Sequence, residues 1–142
     1  MKAREIMTKD PRTVTPDTGL QEAARLMQTE DVGILPVVEA GGRNLLGVVT
    51  DRDIALRVVG EGRDAKSTKV SDVMSTGVRT CKENDSVDDV MDVMGREQVR
   101  RIPIVDDRGA LVGIIAQADV VRDAKDDKKA ERTVEKISES SR

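Results

Sequence analysis

Leu20, Ala23, Ala24 and Met27 stand at i, i+3, i+4 and i+7. That spacing lays apolar side chains along one face of a helix. Val87, Val90, Met91 and Met94 repeat it further along the chain. Each stripe follows a short extended piece and a turn: Thr13-Val14-Thr15 with Pro16 before the first, and the strand containing Cys81 before the second. Thr18 with Gln21, and Ser86 with Asp89, have the spacing of helix-start caps. After each helix comes a near-continuous apolar run, Val32 to Val38 and Val99 to Val105. Turn residues and a second run follow, Leu45 to Val49 and Leu111 to Ile115. Such runs, bounded by Gly, Asp and Asn, predict buried strands. Ile54, Ala55, Val58 and Val59, and then Val120, Val121 and Ala124, start another helical stripe. The predicted order is β-α-β-β-α, twice, which makes the chain α+β.

The two halves are one sequence written twice. At an offset of 67, Ile6-Met7-Thr8 falls on Val73-Met74-Ser75, Met27 on Met94, Pro36 on Pro103 and Val38 on Val105. At an offset of 66, Leu45-Leu46-Gly47-Val48-Val49 falls on Leu111-Val112-Gly113-Ile114-Ile115, and Asp53 on Asp119. The slip lies between Gly41-Gly42-Arg43-Asn44 and Asp107-Arg108-Gly109, where turns absorb length changes cheaply. The expected organisation is repeat 1 over residues 1–59, a polar flexible linker over 60–69, repeat 2 over 70–125 and a charged flexible tail over 126–142. From residue 123 onward, 12 of 20 residues are charged. Like charges recur at i,i+4, as in Lys125/Lys129 and Glu131/Glu135, so the stripe of Ala130, Val134 and Ile137 predicts only a fraying helix.

Composition narrows the function. The 142 residues contain no Phe, Tyr, Trp or His, and the formal net charge is −3. Single-stranded nucleic acid is usually held by stacking on aromatic rings, and duplexes want a basic field, so nucleic acid is not an expected partner. Without His, the commonest general base and metal ligand are missing. Cys81 alone makes neither an internal disulfide nor a zinc cage. The longest unbroken apolar run, Ile34 to Val38, is far short of the ~18 residues of a membrane span. No apolar signal segment opens the chain. The expectation is a cytoplasmic protein with no membrane contact, no catalytic residues and no metal site.

The sharpest local feature is Gly47-Val48-Val49-Thr50-Asp51-Arg52-Asp53. A strand ends at Thr50 and a helix begins, with Thr50 and Asp53 at the N-cap and N3 positions. This pair can simply cap the helix. The same geometry also suits a nucleotide, since a helix start favours phosphate and a carboxylate one turn in can accept both hydroxyls of a ribose. Repeat 2 keeps Gly113 and Asp119 but has Ala116 where repeat 1 has Thr50. Arg100 and Arg101 enter a predicted strand on opposite faces, so one should face inward or sit on a rim suited to phosphate. The methionines at 27, 91 and 94 read as core, and Cys81 as a buried small hydrophobe.

These motifs resemble those of a cystathionine-β-synthase (CBS) domain pair, or Bateman module. The likeness is carried by Ile6-Met7-Thr8, Val32 to Val38 and Leu46 to Ile54, together with Val73-Met74-Ser75, Val99 to Val105 and Val112 to Val120. It spans roughly residues 1 to 123. It implies two β-α-β-β-α repeats packed sheet to sheet about a pseudo-twofold, with adenosine ligands such as AMP, ADP, ATP or S-adenosylmethionine bound in clefts between them. It implies Asp53 as the ribose acid of the main site and Thr50 as a phosphate or ribose contact, with Val48 beside them. Val78, Arg79, Val99, Arg100 and Arg101 complete that site from the opposite repeat. The second site would use Asp119 and Ile114, with Pro11, Arg12, Val32 and Gly33. Ala116 departs from the family pattern and makes this second site the weaker one.

Two function classes follow. One is an adenosine-nucleotide-sensing regulatory module without catalysis, forming a homodimer and acting on another protein, since no enzyme is fused to the pair. The other is an interaction or stress-associated scaffold that binds no nucleotide, with Thr50 and Asp53 serving only as caps.

Overall fold

The computed structural model describes residues 1–123 and 134–138. The chain divides into two compact units: Pro11–Val78, and Met1–Asp10 together with the residues from Arg79 onward. Each unit takes its opening segment from the other repeat.

In the first of these, α2 (Leu20–Glu30) packs on the hairpin of β2 (Ile34–Val38) and β3 (Leu45–Thr50). Leu20, Ala23 and Met27 are buried with Leu35, Val37 and Val49. Ala24, on the predicted stripe, is exposed. The helix that follows β3 is α3 (Asp51–Ile54), and it runs on as a π-helical turn over Ala55–Val59. The unit is closed by α4 (Val70–Val73), whose Val70 and Val73 lie in the same apolar cluster. Ser75 bridges to Val48 beside β3, and Val14 bridges to Val37.

The second unit repeats this plan. Its α1 (Ala3–Ile6) and β1 (Thr8–Lys9) come from the start of repeat 1. They join β4 (Cys81–Lys82), α5 (Val87–Glu97), β5 (Arg101–Val105), β6 (Leu111–Ala116) and α6 (Gln117–Asp123). The sheet order is β1-β6-β5-β4, with β4 parallel to β5 and the other pairs antiparallel. Both hairpins carry a register shift near their ends, at Val37/Val38 and Ile104/Val105.

The exchange of opening segments follows one hydrogen-bond pattern in both units. The Ala3 and Arg4 amides donate to the Asp85 and Glu83 carbonyls, and 67 residues on the Val70 and Ser71 amides donate to the Thr18 and Pro16 carbonyls. Two glycines make room for it. A Cβ on Gly47 would lie 2.3 Å from the Ser75 carbonyl oxygen, and one on Gly113 would lie 2.9 Å from that of Thr8. No side chain fits where one backbone passes this close to another.

Three sequence expectations change. The 60–69 segment, read as a flexible linker, is folded into its unit. The Gly60 and Arg63 amides donate to the Ala55 and Val58 carbonyls, and the Thr68 hydroxyl, on a buried residue, donates to the Asp64 carbonyl at 2.7 Å. Polar composition here marks satisfied turns, not freedom. Gly19, not Thr18, caps α2, because the Thr18 hydroxyl instead accepts from the Thr15 amide. The third change is in the tail, where residues 134–138 are helical and Ile137 is only 1% exposed within the apolar cluster of α5 and β5. One fully buried isoleucine contributes about 1.5–3 kcal/mol, more than a like-charge pair costs at roughly 0.2–0.5 kcal/mol. Residues 124–133 and 139–142 of the predicted flexible tail lie outside the described residues.

Candidate functional site

Strand β3 ends and α3 begins at Thr50 because Thr50 and Asp53 cap each other. The Asp53 amide donates to Thr50 Oγ1 at 3.0 Å, and the Thr50 amide donates to Asp53 Oδ2 at 3.0 Å. This is a complete reciprocal capping box. It consumes one carboxylate oxygen and fixes the other. Asp53 Oδ1 accepts from Ser75 Oγ at 3.4 Å and lies 4.0 Å from Arg57 Nε. Arg57 is itself held away, donating through Nη1 to the Val73 carbonyl at 2.9 Å and the Met74 carbonyl at 3.3 Å. The Asp53 side chain is 12% exposed. Its outer oxygen therefore has one long hydrogen bond and one distant cation, which leaves capacity for a diol.

The equivalent acid in the other unit is arranged differently. Ala116 offers no hydroxyl, so only half of the box survives, with the Ala116 amide donating to Asp119 Oδ2 at 2.9 Å. Asp119 Oδ1 is gripped by Arg122 Nη2 at 3.1 Å. A diol arriving here must displace a guanidinium. The two acids thus differ in a second respect besides Ala116, and it comes from the acid's own helix.

The remaining candidates divide between the units. Alongside Thr50 and Asp53 in the Pro11–Val78 unit, Val48 is buried in β3 and Val78 is half-buried. Arg12 is exposed and 3.8 Å from Glu30, Pro11 is half-buried, and Val32 is exposed at the end of α2. The Gly33 carbonyl accepts the Asp51 amide, and a Cβ at Gly33 would meet the Asp51 carboxylate at 2.9 Å. In the other unit, half-buried Ile114 lies on β6 near Asp119, and Val99 packs against the core. Arg79 is 3.5 Å from Glu97. Arg100 and Arg101 are both exposed, and β5 begins only at Arg101. Of the two placements expected, inward or on a rim, the inward one is excluded for both: Arg100 precedes the strand, its carbonyl accepting the Gln117 amide at 2.7 Å, and Arg101 opens the strand exposed.

Sequence reasoning misses Ser75, Arg57 and Arg122. A signal exists for Ser75, since a hydroxyl recurs at the matching position, Thr8. Its relevance needs the exchange of opening segments, which brings residue 75 to residue 53. Cys81 is buried as expected, and that burial pushes its thiol pKa up to about 11, with the nearby Asp85 carboxylate adding to the shift. Among the described residues no helix is long and apolar enough to cross a membrane.

Known proteins place this arrangement in a family. The CBS domain model matches residues 3–60 and again 70–126. The chain is 47% identical over 117 residues to the CBS domain-containing protein YhcV of Bacillus subtilis, covering 82% of this chain and 81% of YhcV. It resembles the crystal structure of CBSX2 in complex with AMP, with a TM-score of 0.74, 27% identity, and coverage of 87% of this chain and 95% of that one. It also resembles the CBS domain pair of MJ0100 in complex with 5'-methylthioadenosine and S-adenosyl-L-methionine, with a TM-score of 0.76, 28% identity and coverage of 86% and 94%. Two matched repeats, each with an acid in the first turn of the helix after its hairpin, make this chain a member of the CBS domain family, with two CBS domains in tandem.

Proposed function

We propose that this protein is a regulatory module that senses an adenosine ligand such as AMP, ADP, ATP or S-adenosylmethionine and carries out no catalysis. The observation that carries the reading is the Asp53 carboxylate, clamped through Oδ2 by its own helix start and loosely engaged at Oδ1. Such a group is preorganised to accept two ribose hydroxyls, and preorganisation lowers the ordering cost of binding. The adenosine ligands bound by CBSX2 and by the MJ0100 pair support this assignment. Thr50 would contact the ribose or phosphate, and Val48 the apolar part of the ligand. Asp119 would hold a second ligand more weakly. The module would act in the cytoplasm on a separate protein, as a homodimer. Support for the dimer comes from Leu56 and Val59, two large apolar side chains of the π-helical turn that are 54% and 75% exposed. A ligand can shift the dimer or its target only by binding two states unequally.

The scaffold reading stands beside it on a specific observation. The complete Thr50–Asp53 box explains both residues by helix capping alone. A thermal-shift screen with the four ligands, followed by calorimetry on Asp53→Asn and Asp119→Asn, separates the two. Nucleotide sensing requires a raised melting midpoint and loss of the tight site in Asp53→Asn only. A flat screen leaves the scaffold.

A further inference from the structure

The two long helices hold equivalent places in their repeats but differ in burial on one face, and on α5 that face is where residues 134–138 lie. At the repeat offset, Met91 and Gly95 of α5 stand where α2 has Ala24 and Gln28. Ala24 and Gln28 are exposed, whereas Met91 and Gly95 are buried. A glycine inside a helix costs stability relative to alanine, and Gly95 is not one of the positive-φ glycines. Its neighbour gives the reason: a Cβ at Gly95 would stand 3.2 Å from Lys136 Cδ. One turn further along, Gln98 Nε2 lies 3.5 Å from the Lys136 carbonyl, to which it donates. Ile137 is buried in the cluster that holds Val90, Met91 and Met94. Val134, one helical turn before it, is half-buried.

We propose that α5 carries a docking groove floored by Met91 and Gly95, and that its occupant is this chain's own segment 134–138. The segment acts as a detachable strap held by one aliphatic anchor, Ile137. The helical turn from Val134 to Ile137 buries the Ile137 side chain in the cluster of α5, with Val134 half-buried, while Glu135, Lys136 and Ser138 stay exposed. Gly95 lets the Lys136 stem lie directly on the helix, and Gln98 holds the strap's backbone. The groove exists on one repeat only, because Gln28 would fill the matching place on α2. While seated, the strap keeps an apolar face of α5 covered, and on release that face becomes available to a helix of similar chemistry.

The test uses hydrogen exchange and methyl spectra of methionine-labelled full-length protein. The variants are Ile137→Asp, which removes the anchor, and Gly95→Gln, which installs the α2 residue. A third chain ends at Thr133. Gly95→Gln raises the helix propensity of α5, so the groove is blocked without weakening the helix. The expected result is exchange at 134–138 roughly tenfold or more faster in both full-length variants, with β5 and β6 unchanged. The Met91 methyl signal should move to the same new position in Ile137→Asp and in the shortened chain, where the groove is left empty. Three results would overturn the proposal. One is exchange rising throughout β5 and β6, which makes 134–138 part of the fold. Another is a segment already unprotected in the parent chain. The last is Gly95→Gln leaving 134–138 protected, which puts its seat elsewhere.

Discussion

Adding one methyl group at Gly47 measures how much the exchange of opening segments contributes to stability. The new Cβ would lie 2.3 Å from the Ser75 carbonyl oxygen and 3.2 Å from its carbon. Non-bonded heavy atoms rest at roughly 3.5 Å, so β3 and the segment at Ser75 must part by about an ångström. Two hydrogen bonds stand in the way, Val48 amide to Ser75 carbonyl at 3.0 Å and Ser75 amide to Val48 carbonyl at 2.8 Å. Losing both costs about 1–3 kcal/mol, and keeping them under strain costs a similar amount. Alanine's smaller backbone entropy loss returns about 0.5–1 kcal/mol. The net expectation for Gly47→Ala is a loss of about 1 kcal/mol at mid-range and up to about 2.5 kcal/mol in urea unfolding. Gly113→Ala should lose less, since its nearest obstacle is the flexible Met7 thioether and the Thr8 carbonyl stands off at 2.9 Å. Gly47→Ala should also speed amide exchange at Ser75 and loosen that residue's hold on Asp53. A Gly47→Ala protein as stable as its parent, or a Gly113→Ala protein that loses more, would refute the reasoning.

Thr50→Ala removes a cap acceptor and should cost about 1 kcal/mol, while Ala116→Thr should restore the missing half of the other box and add a similar amount. Both are read by chemical denaturation, and a destabilised Ala116→Thr would count against the shared capping geometry. Arg122→Ala frees Asp119 Oδ1, so calorimetry should show the second adenosine site proposed at Asp119 gaining affinity, by severalfold given that exposed ion pairs are worth about 0.2–1 kcal/mol. Unchanged or weaker binding would show that Arg122 does not compete with the ribose. Burial holds the Cys81 thiol neutral up to about pH 11, against an ordinary value of 9.0. A raised pKa stabilises nothing extra below pH 9 but makes folding progressively costlier between pH 9 and about 11, by about 2–3 kcal/mol at the end. Cys81→Ala should lack that alkaline decline, and two parallel stability–pH curves would disprove it.

Local pattern alone makes much of this protein legible. The helices α2 and α5 and both hairpins follow from spacing within ten residues, because burying an apolar stripe or run is a local geometric demand. The duplication is equally plain. So is the Thr50–Asp53 pair, since a cap is a contact across three residues. What the tertiary structure alone decides involves residues far apart in sequence. The first ten residues complete the unit of the second repeat, and residues 70–78 complete that of the first, because each hairpin edge takes up the segment that can pass a glycine. That exchange puts Ser75 against Asp53 and accounts for Gly47 and Gly113. Arg57 and Arg122 leave no mark in the local pattern, because their effect depends on which carbonyl or carboxylate each guanidinium reaches. The tail differs from its sequence expectation for the same reason. Its like charges are visible locally, but the groove that buries Ile137 belongs to α5, about forty residues earlier in the chain.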